Sequence, residues 1–162
     1  MTKVYVAKTE NTGKGLFAKT DIKKNEAIFS VQGRIIKESK YYAGSSYKTG
    51  PRWLTIGKNT WISPLRSNPW WFINHSCKPN AGLRGKVTVV AMKNIKKGNE
   101  ITIDYSITED DPFWQMKCEC SHNNCRKAIR SVRFLPWGIF RKYEPFIPKF
   151  LQESYLSART VH

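Results

Sequence analysis

The run Phe72-Ile73-Asn74-His75-Ser76-Cys77-Lys78-Pro79-Asn80 follows directly on Trp70-Trp71. Asn, His, Ser and Cys in succession give neither the apolar stripe of a helix nor the alternation of a strand. Cys77-Lys78-Pro79-Asn80 reads as a turn, because Pro fixes its own φ and restricts the residue before it. The polar side chains are varied in their chemistry. Asn74 offers an amide donor and acceptor, His75 two ring nitrogens and Cys77 a thiolate ligand. A polar loop held beside aromatics is a candidate site; the alternative is a capped turn over a core.

Working outward, Cys77 is one of only four cysteines in 162 residues, and the other three fall in Cys118-Glu119-Cys120-Ser121-His122-Asn123-Asn124-Cys125. Four thiols with no remainder match a closed tetrahedral zinc site, although Cys118-x-Cys120 is tighter than the usual spacer and His122 can replace one thiolate. Disulfides are the alternative. The chain has no signal-peptide pattern and no apolar run approaching the roughly 18 residues of a membrane span, so it is expected to be soluble and intracellular, where thiols stay reduced.

The charge is unusual: 28 Lys and Arg against 12 Asp and Glu give +16. Such a field favours polyanions, so contact with nucleic acid through the basic surface is expected; a basic surface with no such role is the alternative. Half of the acids (Glu100, Asp104, Glu109, Asp110, Asp111 and Glu119) lie between residues 100 and 119. A cationic substrate finds its favourable field there, with Glu109-Asp110-Asp111 as a docking point.

The length suits one domain with a small appendage. Val4–Val6, Ala27–Val31, Gly33–Ile36, Trp53–Ile56 and Thr60–Ile62 read as short strands. Val87–Ala91 reads as a strand buried on both faces, and Ile101–Tyr105 as one with Ile101, Ile103 and Tyr105 on a single face. Gly13-x-Gly15-x-x-Ala18 formally fits a dinucleotide fingerprint, but residues 19–26 have no amphipathic face and no βαβ unit follows, leaving a glycine turn. Residues 18–28 resemble residues 91–101, each a strand end, a Lys-Lys turn and a new strand, which suggests two similar β corners. Tyr41, Tyr42 and Tyr47, in the polar stretch 37–52, either line a pocket or pack. Pro136 and Pro148 each suit the first turn of a short amphipathic helix.

Together, Gly13-x-Gly15-x-Phe17, Asn74-His75-Ser76-Cys77-x-Pro79-Asn80, Gly98-Asn99-Glu100-Ile101-Thr102-Ile103-Asp104-Tyr105 and Cys118-x-Cys120-x4-Cys125 resemble, in order and spacing, the SET-domain protein lysine methyltransferases. The resemblance covers roughly residues 3 to 126, and the tail is similar to that of small prokaryotic SET proteins. It implies a mainly β (α+β) fold of small curved sheets with a pseudoknot, divided into a SET domain (1–117), a post-SET zinc segment (118–126) and an aromatic C-terminal helical extension (127–162).

It also implies S-adenosylmethionine on Lys14, Gly15, Leu16, Phe17, Asn74, His75 and Tyr105. Tyr105 is the implied catalytic residue, and Ile103 and Tyr105 line the lysine channel. Cys77, Cys118, Cys120 and Cys125 hold one zinc ion. Three positions depart from the family: Trp71 where Arg is usual, Asn99 where an acid is common, and Ile103 where Phe or Tyr commonly limits the number of methyls. The smaller Ile103 implies di- or trimethylation. The expected function is methylation of lysine on a basic, chromatin-like, DNA-associated protein, with no membrane partner. A non-catalytic zinc module binding nucleic acid, or a degenerate SET scaffold, is the alternative.

Overall fold

The computed structural model describes residues 2–10, 13–37 and 52–160. Tyr41, Tyr42 and Tyr47 lie outside them. Among the described residues four small sheets carry the fold. In the first, β1 (Val4–Lys8) and β2 (Lys14–Ala18) form an antiparallel hairpin, β10 (Glu100–Ile103) pairs antiparallel with β2, and β7 (Asn74–His75) pairs parallel with β10. The turn between β1 and β2 ends at Gly13, whose φ of +80° is open to glycine at little cost. The second sheet runs β3 (Ala27–Ser30), β9 (Thr88–Ala91), β8 (Ala81–Arg84). The third runs β4 (Gly33–Lys37), β6 (Thr60–Pro64), β5 (Leu54–Gly57). At Gly33 a Cβ would collide with the Ser63 carbonyl, so only glycine fits against that partner strand.

The expected strands are present within a residue or two. Val89, Val90 and Ala91 are fully buried, as a central strand covered on both faces requires. The strand ending at Tyr105 is the exception. β10 stops at Ile103, Asp104 accepts the Ser106 N–H as a cap, and Tyr105 opens a 3-10 turn over Tyr105–Thr108. An Asx-type cap offers the backbone an alternative to the ladder, and here it wins.

The two sequence-related corners meet each other. Ile22 and Ile95 exchange both backbone hydrogen bonds, N to O, at 2.8 Å in each direction. Ala18 N donates to Asn99 O and Ala91 N to Glu26 O, while Gly98 N donates to Ala18 O and Asn25 N to Ala91 O. Corresponding positions thus make corresponding bonds about an approximate two-fold. Asn25 and Gly98 occupy matching places with φ of 67° and 83°.

The fourth sheet is a hairpin of β11 (Gln115–Lys117) and β12 (Ala128–Arg130), and the cysteine segment is its loop. Helices α1 (Trp137–Tyr143) and α2 (Lys149–Ser157) follow, with Pro136 and Pro148 as the residues just before them. Phe140 and Tyr155 stack at 3.7 Å between centroids and share one core with Leu16, Ile101 and Leu151. Tyr143 directs its hydroxyl at the Cys77 carbonyl, 3.5 Å away, so the tail packs behind the Asn74–Asn80 loop. Among the described residues no helix is long and apolar enough to cross a membrane.

Candidate active site

The parallel pairing of β7 with β10 places Thr102 opposite Asn74 and Ile103 opposite His75. Side chains of the loop then lock the two strands. Asn74 Nδ2 donates to Lys14 O (3.0 Å) and Glu100 Oε1 (2.8 Å), joining β7 to β2 and β10. Asn80 clamps the same stretch of β10, donating to Glu100 O at 2.7 Å and accepting from Thr102 N at 2.9 Å. A Cβ at Gly15 would lie 2.5 Å from Glu100 Oε1 and would push that carboxylate from its bond with Asn74.

A cavity of about 420 Å³ opens on this junction. Phe17, Asn74 and His75 line it, and one wall comes from the zinc-type segment through Glu119, Cys120 and His122. Its acidic and basic side chains are mostly acidic: Glu10, Glu100 and Glu119 against Lys8. In a chain of net charge +16 this is a local reversal of sign.

Tyr105 lies behind the cavity wall. Its hydroxyl donates to Ile73 O at 2.8 Å, and Arg52 Nη1 donates to the same carbonyl at 3.1 Å. Burial pushes the phenol above its ordinary value, so it keeps its proton at neutral pH. Ile103 is fully buried in the core beside it.

His75 links this tyrosine to the sulfurs. Tyr105 N donates to Nδ1 (3.2 Å), so the ring proton of the neutral imidazole sits on Nε2, which faces Cys77 Sγ at 3.4 Å. Burial holds His75 down to about 4, against a raising effect from Asp104, so the ring is neutral. Asp104 itself is fully buried and is gripped by Arg126 Nη2, at 2.6 and 2.7 Å to its two oxygens.

The four cysteines converge. Cys77 Sγ and Cys118 Sγ are 3.6 Å apart, and the ligand atoms of His75, Cys77, Cys118 and Cys120 all lie within 4.8 Å of one another. The Cys125 thiol is within hydrogen-bond reach of those of Cys118 and Cys120. A tetrahedral ion with Zn–S of about 2.3 Å needs sulfurs roughly 3.8 Å apart, and Cys77 and Cys118 stand close to that spacing. Backbone N–H groups also reach two of the sulfurs. Arg126 N donates to Cys77 and Lys127 N to Cys125, each at 3.4 Å. Burial raises the thiols of Cys77 and Cys118, whereas at Cys120 burial is outweighed by the neighbouring backbone N–H groups and thiols, which bring it to about 7. Donors aimed at sulfur stabilise thiolate, the form that binds metal. His75 does not fit as a ligand while Nδ1 accepts from Tyr105, because its Nε2 then carries the proton. The Cys/His cluster present can therefore hold a zinc ion, with Cys125 beside it and His75 placed as an N–H donor to Cys77.

Residues 13–106, more than half of the chain, match the SET domain family. The chain belongs to that family. Among its relatives, this SET chain is 30% identical over 138 residues to histone-lysine N-methyltransferase 2D of Homo sapiens, across 76% of its own length. It is 34% identical over 137 residues to the variant-silencing SET domain-containing protein of Plasmodium falciparum (isolate 3D7), across 74%. It spans 2% and 5% of those two proteins. In fold it matches KRYPTONITE, solved with DNA, an H3(1-15) peptide and SAH, with a TM-score of 0.63 at 21% identity, over 80% of this chain and 30% of that one. The mainly β architecture of small sheets with C-terminal helices is thus the SET fold.

Within this SET domain, Phe17, Asn74 and His75 line the cavity. Lys14 contributes its carbonyl to Asn74, its side chain being exposed, and Leu16 is wholly inside the core. Trp71, in place of the usual Arg, turns elsewhere: its Nε1 donates to Pro64 O (2.9 Å) and Arg66 lies over its ring. The docking point expected at Glu109-Asp110-Asp111 is not offered to solvent. Glu109 and Asp111 are buried, because Glu109 Oε1 accepts the N–H groups of Asp110 and Asp111 as a turn cap, and Arg133 pairs with Asp110 at 3.0 Å. Sequence reasoning missed Lys8 and Arg126. The first takes its place from the hairpin register, which sets it opposite Lys14 and which the sequence did not show; the second had no signal beyond following Cys125.

Proposed function

We propose that the chain is the catalytic domain of an S-adenosylmethionine-dependent protein lysine N-methyltransferase. The carrying observation is the cavity, an acidic pocket in a strongly basic protein, walled by Asn74 and His75 and backed by a buried, protonated tyrosine. Carboxylates around a cavity suit a cationic ligand. The SAH and H3(1-15) peptide bound to KRYPTONITE support the same reading.

S-adenosylmethionine, when bound, supplies a methyl group on a cationic sulfonium. The protein's part is orientation. Phe17, Asn74 and His75, with the backbone of residues 14–17, form the cofactor seat. Tyr105 donates to Ile73 O, which leaves its oxygen lone pairs free to accept from the substrate amine and hold its nitrogen in line. The amine must be neutral to attack, and burial beside a positive charge lowers its pKa. Cys77, Cys118, Cys120 and Cys125 hold one structural zinc, which fixes the wall carrying Glu119 and His122. Ile103 brings no hydroxyl to restrain the amine, so the enzyme adds two or three methyls. The +16 charge favours a lysine-bearing protein already associated with DNA.

The test is methyl transfer from labelled cofactor to DNA-bound and free histone, with wild type and Tyr105→Phe. Tyr105→Phe is expected to lose about 100-fold or more in kcat, the scale of a misplaced reacting group. Undiminished transfer by that variant overturns the assignment. Mass spectrometry that never passes one methyl overturns the product reading, and equal rates on free and DNA-bound substrate overturn the DNA reading.

A further inference from the structure

The cavity contains one feature that its acidic lining does not explain. Lys8 is the one lysine or arginine among the described residues that line it. Its ammonium is exposed, and among the described residues it has no ion-pair or hydrogen-bond partner in the fold. Other lysines of the same hairpin are differently placed. Lys3 is tied to Glu26 at 2.6 Å, and Lys14 faces solvent without lining the cavity. The hairpin register fixes where Lys8 stands, directly across from Lys14, whose carbonyl holds Asn74. His75 is engaged at both ring nitrogens, by Tyr105 N at Nδ1 and by Cys77 Sγ at Nε2, so it does not reach into the cavity for an anion. Trp71 is turned toward Pro64 and Arg66, so no cation reaches the cavity from the residues just before Asn74.

A cofactor ending in an amino acid brings a carboxylate to a pocket that already holds Glu10, Glu100 and Glu119. That carboxylate needs a cation, or it is repelled. We propose that Lys8 binds the carboxylate at the amino-acid end of the cofactor, and so selects a cofactor that carries the intact amino acid. The inference rests on the reading of the cavity as an S-adenosylmethionine site. Lysine suits the task as a compact point charge on a flexible stem that can follow the ligand in from the rim.

The experiment is calorimetric binding of two probes to the zinc-loaded full chain. S-adenosylhomocysteine carries the carboxylate; 5′-methylthioadenosine lacks the amino acid. Lys8→Gln is expected to weaken S-adenosylhomocysteine about tenfold, the low end for a charge-assisted hydrogen bond at an exposed site, and to leave 5′-methylthioadenosine unchanged. Lys8→Arg is expected to restore most of the loss. Wild-type binding that survives Lys8→Gln, or an equal loss for both probes, overturns the role of Lys8 and leaves the cofactor site standing. A wild type that binds neither probe overturns the cofactor reading itself, and this inference with it.

Discussion

Replacing Arg126 by Met should destabilise the protein by about 3 kcal/mol. The carboxylate of Asp104 is almost wholly buried, with 1% of its side chain exposed, and Arg126 Nη2 holds both of its oxygens at 2.6 and 2.7 Å. Removing one partner of a buried pair strands the other, at roughly 3–5 kcal/mol. Two features set the balance. Asp104 keeps one hydrogen bond, from Ser106 N, and Arg126 Nε is itself buried without a partner, so its removal returns part of the cost. Both point to the low end of the range. For a domain of this size about 3 kcal/mol corresponds to a fall in Tm of roughly 6–12 °C. The assay is urea or thermal unfolding at saturating zinc, so that metal occupancy does not vary between proteins. Asp104→Asn/Arg126→Met, which leaves no stranded charge, should recover much of the loss. A single variant that loses less than about 1 kcal/mol, or a double variant as unstable as the sum of both singles, refutes the pairing as a source of stability.

Cys77→Ser should abolish the one equivalent of zinc and, with it, the cavity wall formed by Glu119, Cys120 and His122; metal analysis and cofactor binding both read this, and full zinc with full binding contradicts it. Glu109→Gln should gain stability over wild type as pH rises. Burial holds the folded Glu109 above its ordinary 4.5, so the folded protein retains a proton that the unfolded chain releases, and wild-type stability falls as pH climbs from 4.5 through the raised value. Unfolding midpoints at pH 4.5 and 7 check the sign, and a wild type more stable than the variant at pH 7 reverses it. Phe140→Ala should cost about 3–5 kcal/mol, because the ring is fully buried and stacked on Tyr155. A negligible loss would show that the helices do not hold the domain.

Much of the site was legible because its chemistry is local. The Asn74–Asn80 loop and the cysteine segment carry residue types that cores and helices rarely place side by side. The strands were legible for the same reason, since β-branched runs such as Val87–Ala91 satisfy burial wherever they lie. What pairing does to those elements was not legible. The alternation of Ile101–Tyr105 predicts a strand throughout, but Asp104 can cap a turn, and only the grip of Arg126 makes its burial tolerable. Glu109 and Asp111 read as surface charge until the backbone N–H groups around them are counted. The two related corners were visible as an echo, but nothing in the sequence showed that they bond to each other.

The parallel contact between β7 and β10 has a consequence for the growing chain. The N-terminal hairpin can form as soon as residues 4–18 are free, yet one edge of β2 waits for β10, whose other edge takes β7. The sheet therefore cannot close until residues 100–103 have been made, and the sulfur cluster until Cys125 has followed. Such long sequence separations slow folding, because loop closure must precede the contacts that reward it. During synthesis the open edge of β2 is an unpaired strand that neighbouring chains can add to.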